Sequence, residues 1–354
     1  MQIEKLVKDP VFHLNLLLWM TMEQPLDSFR IYPFFFQHGF RIIYIEKPFM
    51  LPEEIQARIM GSGLDISGNP EPELILGNQT GKKALYFEAK ANAFSPGSSN
   101  CKQARAHLIA CGPAFSEVMA PLELALLCYL VPDESRKPMF ECLRYLSDEL
   151  DERGLHTGSF SCGGLKIDDN QLVYTWDESF KKYLNIKENS ILLMRDLEND
   201  IDPSPLILLF SDEDCPNTKD RDFYRKVVIN QVRACLLCEL QSLPIGGSFQ
   251  ISAESLLIKT SGSTFKYLAP ERQKNLGRLI RNNVFNPIYS TWGSKLPGIL
   301  YDRDTLQITW NKKEEKQEFL DWLEDSNTIF FTDKPEEEQR QLFNINLKHT
   351  QGEQ

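Results

Sequence analysis

Two short apolar runs set the clearest pattern in the chain. Leu74-Ile75-Leu76 and Ala84-Leu85-Tyr86-Phe87 are each continuous, and Asn78, Gln79, Thr80 and Gly81 lie between them. Runs of this length, separated by turn formers, predict the two strands of a β-hairpin. With Thr80 and Gly81 as the central pair of the turn, Leu76 faces Leu85, Ile75 faces Tyr86, Leu74 faces Phe87 and Glu73 faces Glu88. Directly paired residues share a face of a sheet, and side chains alternate along a strand with period two. Glu73, Glu88 and Lys90 therefore gather on one face at one end of the hairpin. Two carboxylates placed opposite each other repel unless a proton or a cation lies between them.

The flanking pattern predicts helices around this hairpin. Phe12 to Met20 reads as a helix, and the aromatic-rich stretch from Phe29 to Phe49 reads as two short strands around Gln37-His38-Gly39. Leu51 to Met60 starts a helix, with Pro52 in the first turn, Glu53 and Glu54 at its positive end, and Ile55 and Ile59 on one face. Beyond Lys90, a polar loop ends in the helix caps Ser98, Ser99 and Asn100 and leads into a helix over Lys102 to Ala110. Leu122 to Val131 is apolar throughout, which suits a buried strand or a buried helix equally. Pro138 to Leu150 is an amphipathic helix.

Farther on, Gly164 to Trp176 reads as a hairpin around Asp168-Asp169-Asn170, and Ser190 to Met194 as a strand. Leu206 to Phe210 is a buried run after an acidic turn, and Asp220 to Leu243 a long helix. Ser248 to Ile258 and Thr264 to Leu268 read as strands, Pro270 to Asn283 as a basic helix, Ile299 to Trp310 as a hairpin and Lys312 to Leu323 as a charged helix. The tail from Pro335 is rich in Glu and Gln and reads as a solvated helix or a frayed end. A chain of 354 residues is long for one core, and the glycine- and serine-rich stretch Gly154 to Gly164 suggests a division into domains 1–160 and 161–354.

Composition narrows the class. Hydrophobic content of 42% with 25% charged residues is that of an ordinary globular protein, and no stretch reaches the roughly 18 apolar residues of a membrane span. The N-terminal apolar run lacks a basic start and a cleavage site, so a cytoplasmic, membrane-free protein is expected. The eight cysteines are scattered and read as reduced. Cys235 and Cys238 have CxxC spacing but lie within a helical pattern, with no second such pair. The five histidines have no metal-ligand spacing, and no glycine-rich stretch matches a phosphate loop. The net charge of −11 excludes a uniformly basic surface, yet a local basic groove remains compatible with nucleic acid. Lys266, Arg272, Lys274, Arg278 and Arg281 make the most basic neighbourhood, either a solvated helix face or a phosphate contact.

The order helix–strand–turn–strand–helix, with Pro72-Glu73 opening the first strand, Glu88-Ala89-Lys90 closing the second, and Gln103-Ala-Arg-Ala-His107 on the next helix, resembles the PD-(D/E)xK, or restriction-endonuclease-like, nuclease superfamily. The resemblance covers roughly Leu51 to Ala110 and the strand–helix pair after it. It implies an α/β fold with a mixed sheet flanked by helices, followed by a second α/β domain that binds substrate or partner. It implies that Glu73 and Glu88 ligate Mg²⁺ or Mn²⁺, with the Ala89 carbonyl and an acid of the preceding helix, Glu53 or the favoured Glu54, as further ligands. It also implies that Lys90 orients the attacking water and stabilises the transition state, and that Gln103 and His107 meet the site or the substrate.

The activity implied is phosphodiester hydrolysis in nucleic acid, DNA favoured over RNA. By fold-level analogy it belongs to prokaryotic defence or mobile-element biology, with a protein partner or a second copy completing an assembly. Two positions depart from the family pattern: Glu73 stands where aspartate is usual, and His107 where QxxxY has tyrosine. They leave a second reading open, in which an inactive nuclease-like fold serves as a protein- or nucleic-acid-binding subunit. An ion-pair patch on an unrelated α/β protein is a third.

Overall fold

The structure, a computed structural model, describes residues 3–23, 31–194, 218–262 and 264–325. It is a mixed α/β protein with two compact units, Met1–Val228 with Leu257–Leu276, and Ile229–Leu256 with Gly277–Gln354. The run Leu206 to Phe210, the acidic turns on either side of it and the tail from Pro335 lie outside the described residues. Among the described residues, no helix is long and apolar enough to cross a membrane.

The first unit is built on a seven-stranded mixed sheet whose spatial order follows the chain. It begins with helices α1 (Ile3–Leu6), α2 (Pro10–Met20) and α3 (Phe34–Gln37), strand β1 (Arg41–Ile45), helix α4 (Glu53–Ser62), and strands β2 (Leu74–Asn78) and β3 (Lys83–Ala89). Next come α5 (Asn100–Ala110), α6 (Ala114–Val118), β4 (Leu124–Pro132), α7 (Asp133–Glu152), β5 (Ser159–Asp168), β6 (Gln171–Trp176), α8 (Glu178–Leu184) and β7 (Ser190–Met194). β3, β4 and β5 run parallel, while β1 with β2, β2 with β3, β5 with β6 and β6 with β7 are antiparallel. Parallel neighbours need crossover connections, and α5, α6 and α7 supply them.

The β2–β3 hairpin has the expected register, with Leu74 opposite Phe87, Ile75 opposite Tyr86 and Leu76 opposite Leu85. Its turn is closed by Asn78, whose Oδ1 accepts from the Gly81 N–H at 2.9 Å. The apolar run left open as strand or helix is the parallel strand β4. Helices cover both of its faces, so it lacks the polar alternation of a half-exposed strand. Ile75, Tyr86, Leu127 and Tyr129 pack in one core with Leu108 of α5 and Leu143 of α7. On the other face, Phe87 meets Phe35 edge to face, and α2 lies against β3 and β4. α2 is buried nearly all round, and the two polar residues that interrupt its apolar run are satisfied inside it. His13 donates from Nε2 to the Val7 carbonyl at 2.7 Å and accepts at Nδ1 from the Tyr174 hydroxyl, while Asn15 donates to the Val11 carbonyl. Burial holds His13 neutral, with its pKa lowered to about 4.

Several expectations are corrected. The aromatic stretch after Pro33 forms one helical turn, α3, and one strand, β1, rather than two strands. Its phenylalanines are core anchors, with Phe34, Phe35 and Phe40 all buried, and burial rather than strand propensity explains their density. α7 begins at Asp133, directly after β4, and carries Pro138 inside it. The division anticipated between residues 160 and 161 falls within β5, which hydrogen-bonds to both β4 and β6, and the compact units divide elsewhere. The β5–β6 turn falls where expected: Asp169 and Asn170 both have positive φ, the requirement of a two-residue hairpin turn.

Helix α9 (Thr218–Ser242) follows the undescribed stretch, and β8 (Ser248–Ser252) leads straight into helix α10 (Ala253–Thr260). The strand expected over Ser248 to Ile258 stops because Ser252 caps this helix, its Oγ accepting from the Ser255 N–H at 3.1 Å. Thr264–Tyr267 is a 3-10 turn, not a strand, and packs against β1. α11 (Pro270–Ile280) passes through a π turn into α12 (Asn286–Trp292), and the hairpin β9 (Ile299–Asp302) and β10 (Thr305–Thr309) precedes α13 (Lys313–Glu324).

The second unit holds a three-stranded antiparallel sheet in the order β8–β10–β9. Its core includes Trp292, Trp310 and Phe319 in ring contact. Lys316 of α13 donates to the Gln241 and Leu243 carbonyls at 2.7 Å each, tying down the C-terminal end of α9.

Candidate functional site

The hairpin register carries its consequence past the last paired residues. Glu73 sits one residue before β2, and its Oε2 accepts from the Ala89 N–H at 3.0 Å, across the end of β3. Glu88 is only 1% exposed. Its Oε1 binds Lys90 Nζ at 2.6 Å, and its Oε2 lies 3.5 Å from His107 Nε2. The Lys90 N–H continues the sheet by donating to the Leu130 carbonyl at 2.8 Å, which fixes the backbone from which the ammonium springs. Both carboxylates share the face of the sheet covered by α5, as the period of two demands.

A cleft of about 470 Å³ opens here, lined by Glu73, Glu88, Lys90 and Gln103 together with Glu46, Glu71, Ala269, Glu271, Arg272 and Asn275. All of these belong to the first unit. Glu46 follows β1, and its N–H donates to the Glu73 carbonyl at 3.1 Å. Its carboxylate meets the Arg272 guanidinium of α11 at 2.7 Å, with 20% and 12% of the two side chains exposed. Five carboxylates thus line the cleft against two cations.

This excess of acid shows in the protonation of the group at its centre. Burial, and then the Glu88 charge, push the Glu73 carboxyl well above the usual carboxylate range, against the opposing pull of Lys90 and the Ala89 N–H. Burial works to strip the Lys90 proton, but the charge and hydrogen bond of Glu88 and the charge of Glu73 outweigh it and leave the ammonium more firmly protonated than usual. Burial lowers the His107 pKa, only partly offset by Glu88.

The predicted residues divide clearly. Glu73, Glu88, Lys90 and Gln103 converge on the cleft and Arg272 reaches it from α11, whereas Ala89 is not among its lining residues and meets Glu73 through its N–H rather than its carbonyl. Glu54 does not. Its side chain is 76% exposed and pairs with Arg58 at 2.7 Å, so the helix that carries it presents it to solvent. Glu54→Ala is expected to leave divalent-cation affinity unchanged in calorimetry and stability within about 0.5 kcal/mol, as for other exposed pairs.

His107 was expected to meet nucleic acid, but it is fully buried beneath Glu88 and unavailable to any polymer. Lys266, Lys274 and Arg278 are exposed and Arg281 is half-buried, and none of the four lines the cleft. The sequence reading missed Glu46, Glu71 and Glu271. Glu46 carried a signal: it closes the apolar run Arg41 to Ile45 as Glu88 closes its own strand. Glu271 reaches the cleft only through a contact far along the chain.

The residues suit a hard divalent cation. Among the described residues no group of three or more His, Cys, Asp and Glu is placed to hold a metal, and the residues that would hold one in the cleft are Glu73 and Glu88. Mg²⁺ takes few carboxylates and completes its shell with water and substrate oxygens. Glu73 is destabilised as an anion by burial and by the Glu88 charge beside it, so the pair gains from added positive charge. Comparison with protein-family models, characterised proteins and solved structures finds no match.

Proposed function

We propose that the cleft is the active centre of a divalent-cation-dependent phosphodiesterase acting on nucleic acid, with DNA the favoured substrate. The observation that carries this reading is the convergence of Glu73, Glu88 and Lys90 at the end of one hairpin, in a cleft with surplus negative charge. The run α4–β2–β3–α5–β4–α7 has the order expected of a restriction-endonuclease-like core, and that order supports the family resemblance.

In this reading Glu73 and Glu88 hold Mg²⁺ or Mn²⁺. When bound, such a cation would supply positive charge and would lower the pKa of a water held on it. Lys90, anchored on Glu88 Oε1, orients that water and offsets charge developing on the phosphate oxygens. The Gln103 amide, a cleft-lining group one turn before His107 on α5, can donate to substrate and accept from water. Arg272 presents a planar fork suited to a phosphate, and an incoming polyanion competes with Glu46 for it. The exposed bases Lys266 and Lys274, in the same unit as the cleft, would add to the grip on the polymer, and a protein partner or a second copy would supply the rest of a double-strand cut.

The test is cleavage of plasmid and single-stranded DNA and RNA with Mg²⁺ or Mn²⁺ by the wild type, Glu88→Ala and Lys90→Ala. Cleavage by the wild type alone is expected. Equal cleavage by all three proteins, or by none, would transfer the fold to the binding-subunit reading.

A further inference from the structure

Three buried polar atoms in the neighbourhood of Glu88 have no hydrogen-bond partner: its own Oε2, Nε2 of His107 and the hydroxyl of Tyr129. Glu88 is 1% exposed, and the other two residues are not exposed at all. Leaving a buried polar group unpaired costs about 1–3 kcal/mol, so a concentration of such groups in a sheet core calls for a reason. All three residues belong to the wall behind the cleft. Glu88 is the penultimate residue of β3, Tyr129 stands opposite it on β4, and His107 projects from α5, its ring 6.4 Å from that of Tyr129 and edge-on to it.

The tautomer of His107 decides what this wall does. Its Nδ1 lies 2.7 Å from the Tyr86 hydroxyl, and Tyr86 precedes Glu88 by two residues on the same face of β3. A neutral imidazole carries one N–H. Were that proton on Nδ1, the bare lone pair of Nε2 would face the Glu88 Oε2 at 3.5 Å, two acceptors in opposition. With the proton on Nε2, the Tyr86 hydroxyl donates to Nδ1 and the Nε2–H points at the carboxylate. Only this second arrangement pairs Nδ1 and turns an N–H rather than a lone pair toward the carboxylate, across a gap of 3.5 Å that is wider than a formed hydrogen bond.

We propose that His107, locked by Tyr86 as the Nε2–H tautomer, is the positioning residue for Glu88. It takes Oε2 from behind and leaves Oε1 to Lys90 and the cleft. Its effect on cation binding rests on the active-centre reading above, whereas the tautomer and the approach of Nε2 to Glu88 stand on the geometry of Tyr86, His107 and Glu88 alone. The arrangement follows the general rule that a carboxylate used for binding is itself held by a partner behind it. A tyrosine at this position of α5 would offer one rotatable hydroxyl, while histidine passes a fixed direction from Tyr86 to Glu88.

The test has two arms. In histidine ¹⁵N-labelled full-length protein, long-range ¹H–¹⁵N correlation is expected to show His107 protonated at Nε2 and bare at Nδ1, with the Nε2–H resonance moved by Glu88→Gln. Calorimetric titration with Mn²⁺ is expected to show His107→Phe binding about 10- to 100-fold more weakly than the wild type. His107→Gln, whose amide can donate from a similar reach, should restore affinity close to the wild-type value, which a merely space-filling role would not produce. A proton on Nδ1, or a folded His107→Phe that binds Mn²⁺ as the wild type does, overturns the proposal. Absence of Mn²⁺ binding by the wild type itself would defeat the active-centre reading, and the spectrum would then decide the role of His107 by itself.

Discussion

Glu88→Ala is expected to lower Mg²⁺-dependent DNA cleavage by about 10³-fold or more, the scale on which removing one preorganised electrostatic group acts in a closed site. Glu88 is where the contacts of the site meet: Lys90 binds one of its oxygens, His107 faces the other, and Glu73 stands opposite it across the hairpin. Removing it frees Lys90, whose side chain is 24% exposed and can turn to solvent, but it also empties a buried position and breaks a largely buried ion pair, which costs stability. The repulsion on Glu73 disappears at the same time. Circular dichroism and a melting curve, with cleavage measured well below the variant's own melting temperature, separate lost chemistry from lost structure. Single-turnover cleavage is the measurement. Retention of even a tenth of the wild-type rate would remove Glu88 from the chemistry.

Glu73→Gln is expected to raise the stability of the metal-free protein near neutral pH while abolishing divalent-cation binding. Its carboxyl titrates well above the ordinary glutamate range because it is buried and faces Glu88. An acid of this kind keeps its proton in the folded state after the unfolded chain has released it. Stability is therefore at its full value below the unfolded pKa and falls as pH rises from there toward the higher folded value. Glutamine keeps an oxygen for the Ala89 N–H and has nothing to ionise, so the fall should vanish. Chemical denaturation between pH 4 and 8, with and without Mn²⁺, checks this directly. Wild-type stability should decline with pH in the absence of metal and recover when Mn²⁺ favours the ionised carboxylate, and Glu73→Gln should respond to neither. A gain of stability with a loss of function is the usual signature of a group kept strained for its chemistry.

How much of this was legible in the sequence depended on how local the determinant was. The register of β2 and β3 follows from a short polar turn between two apolar runs, and that register brought Glu73, Glu88 and Lys90 together on paper. Gln103 could be read because it lies on the next helix. Arg272 was visible only as one basic residue among several. Its place in the cleft depends on the return of residues 257–276 to the first unit, nearly 200 positions after the hairpin, and no periodicity records such a contact.

His107 was misplaced for a related reason: a helical spacing shows which residues share a face but not whether that face meets solvent or core. The strand expected over Ser248 to Ile258 failed because a serine cap inside an apolar run outweighs the run. Glu54 was carried over from a family pattern, and in this chain Glu46, at the end of β1, stands at the cleft instead.

The central claim is that the facing pair Glu73 and Glu88 is built to hold a divalent cation. Calorimetric titration of the wild type and Glu73→Gln with Mn²⁺ at neutral pH tests it most directly. The account predicts saturable binding by the wild type, with proton release from Glu73 that scales with the ionisation enthalpy of the buffer, and no binding by the variant. Equal heats from the two proteins, or no binding by either, would contradict it.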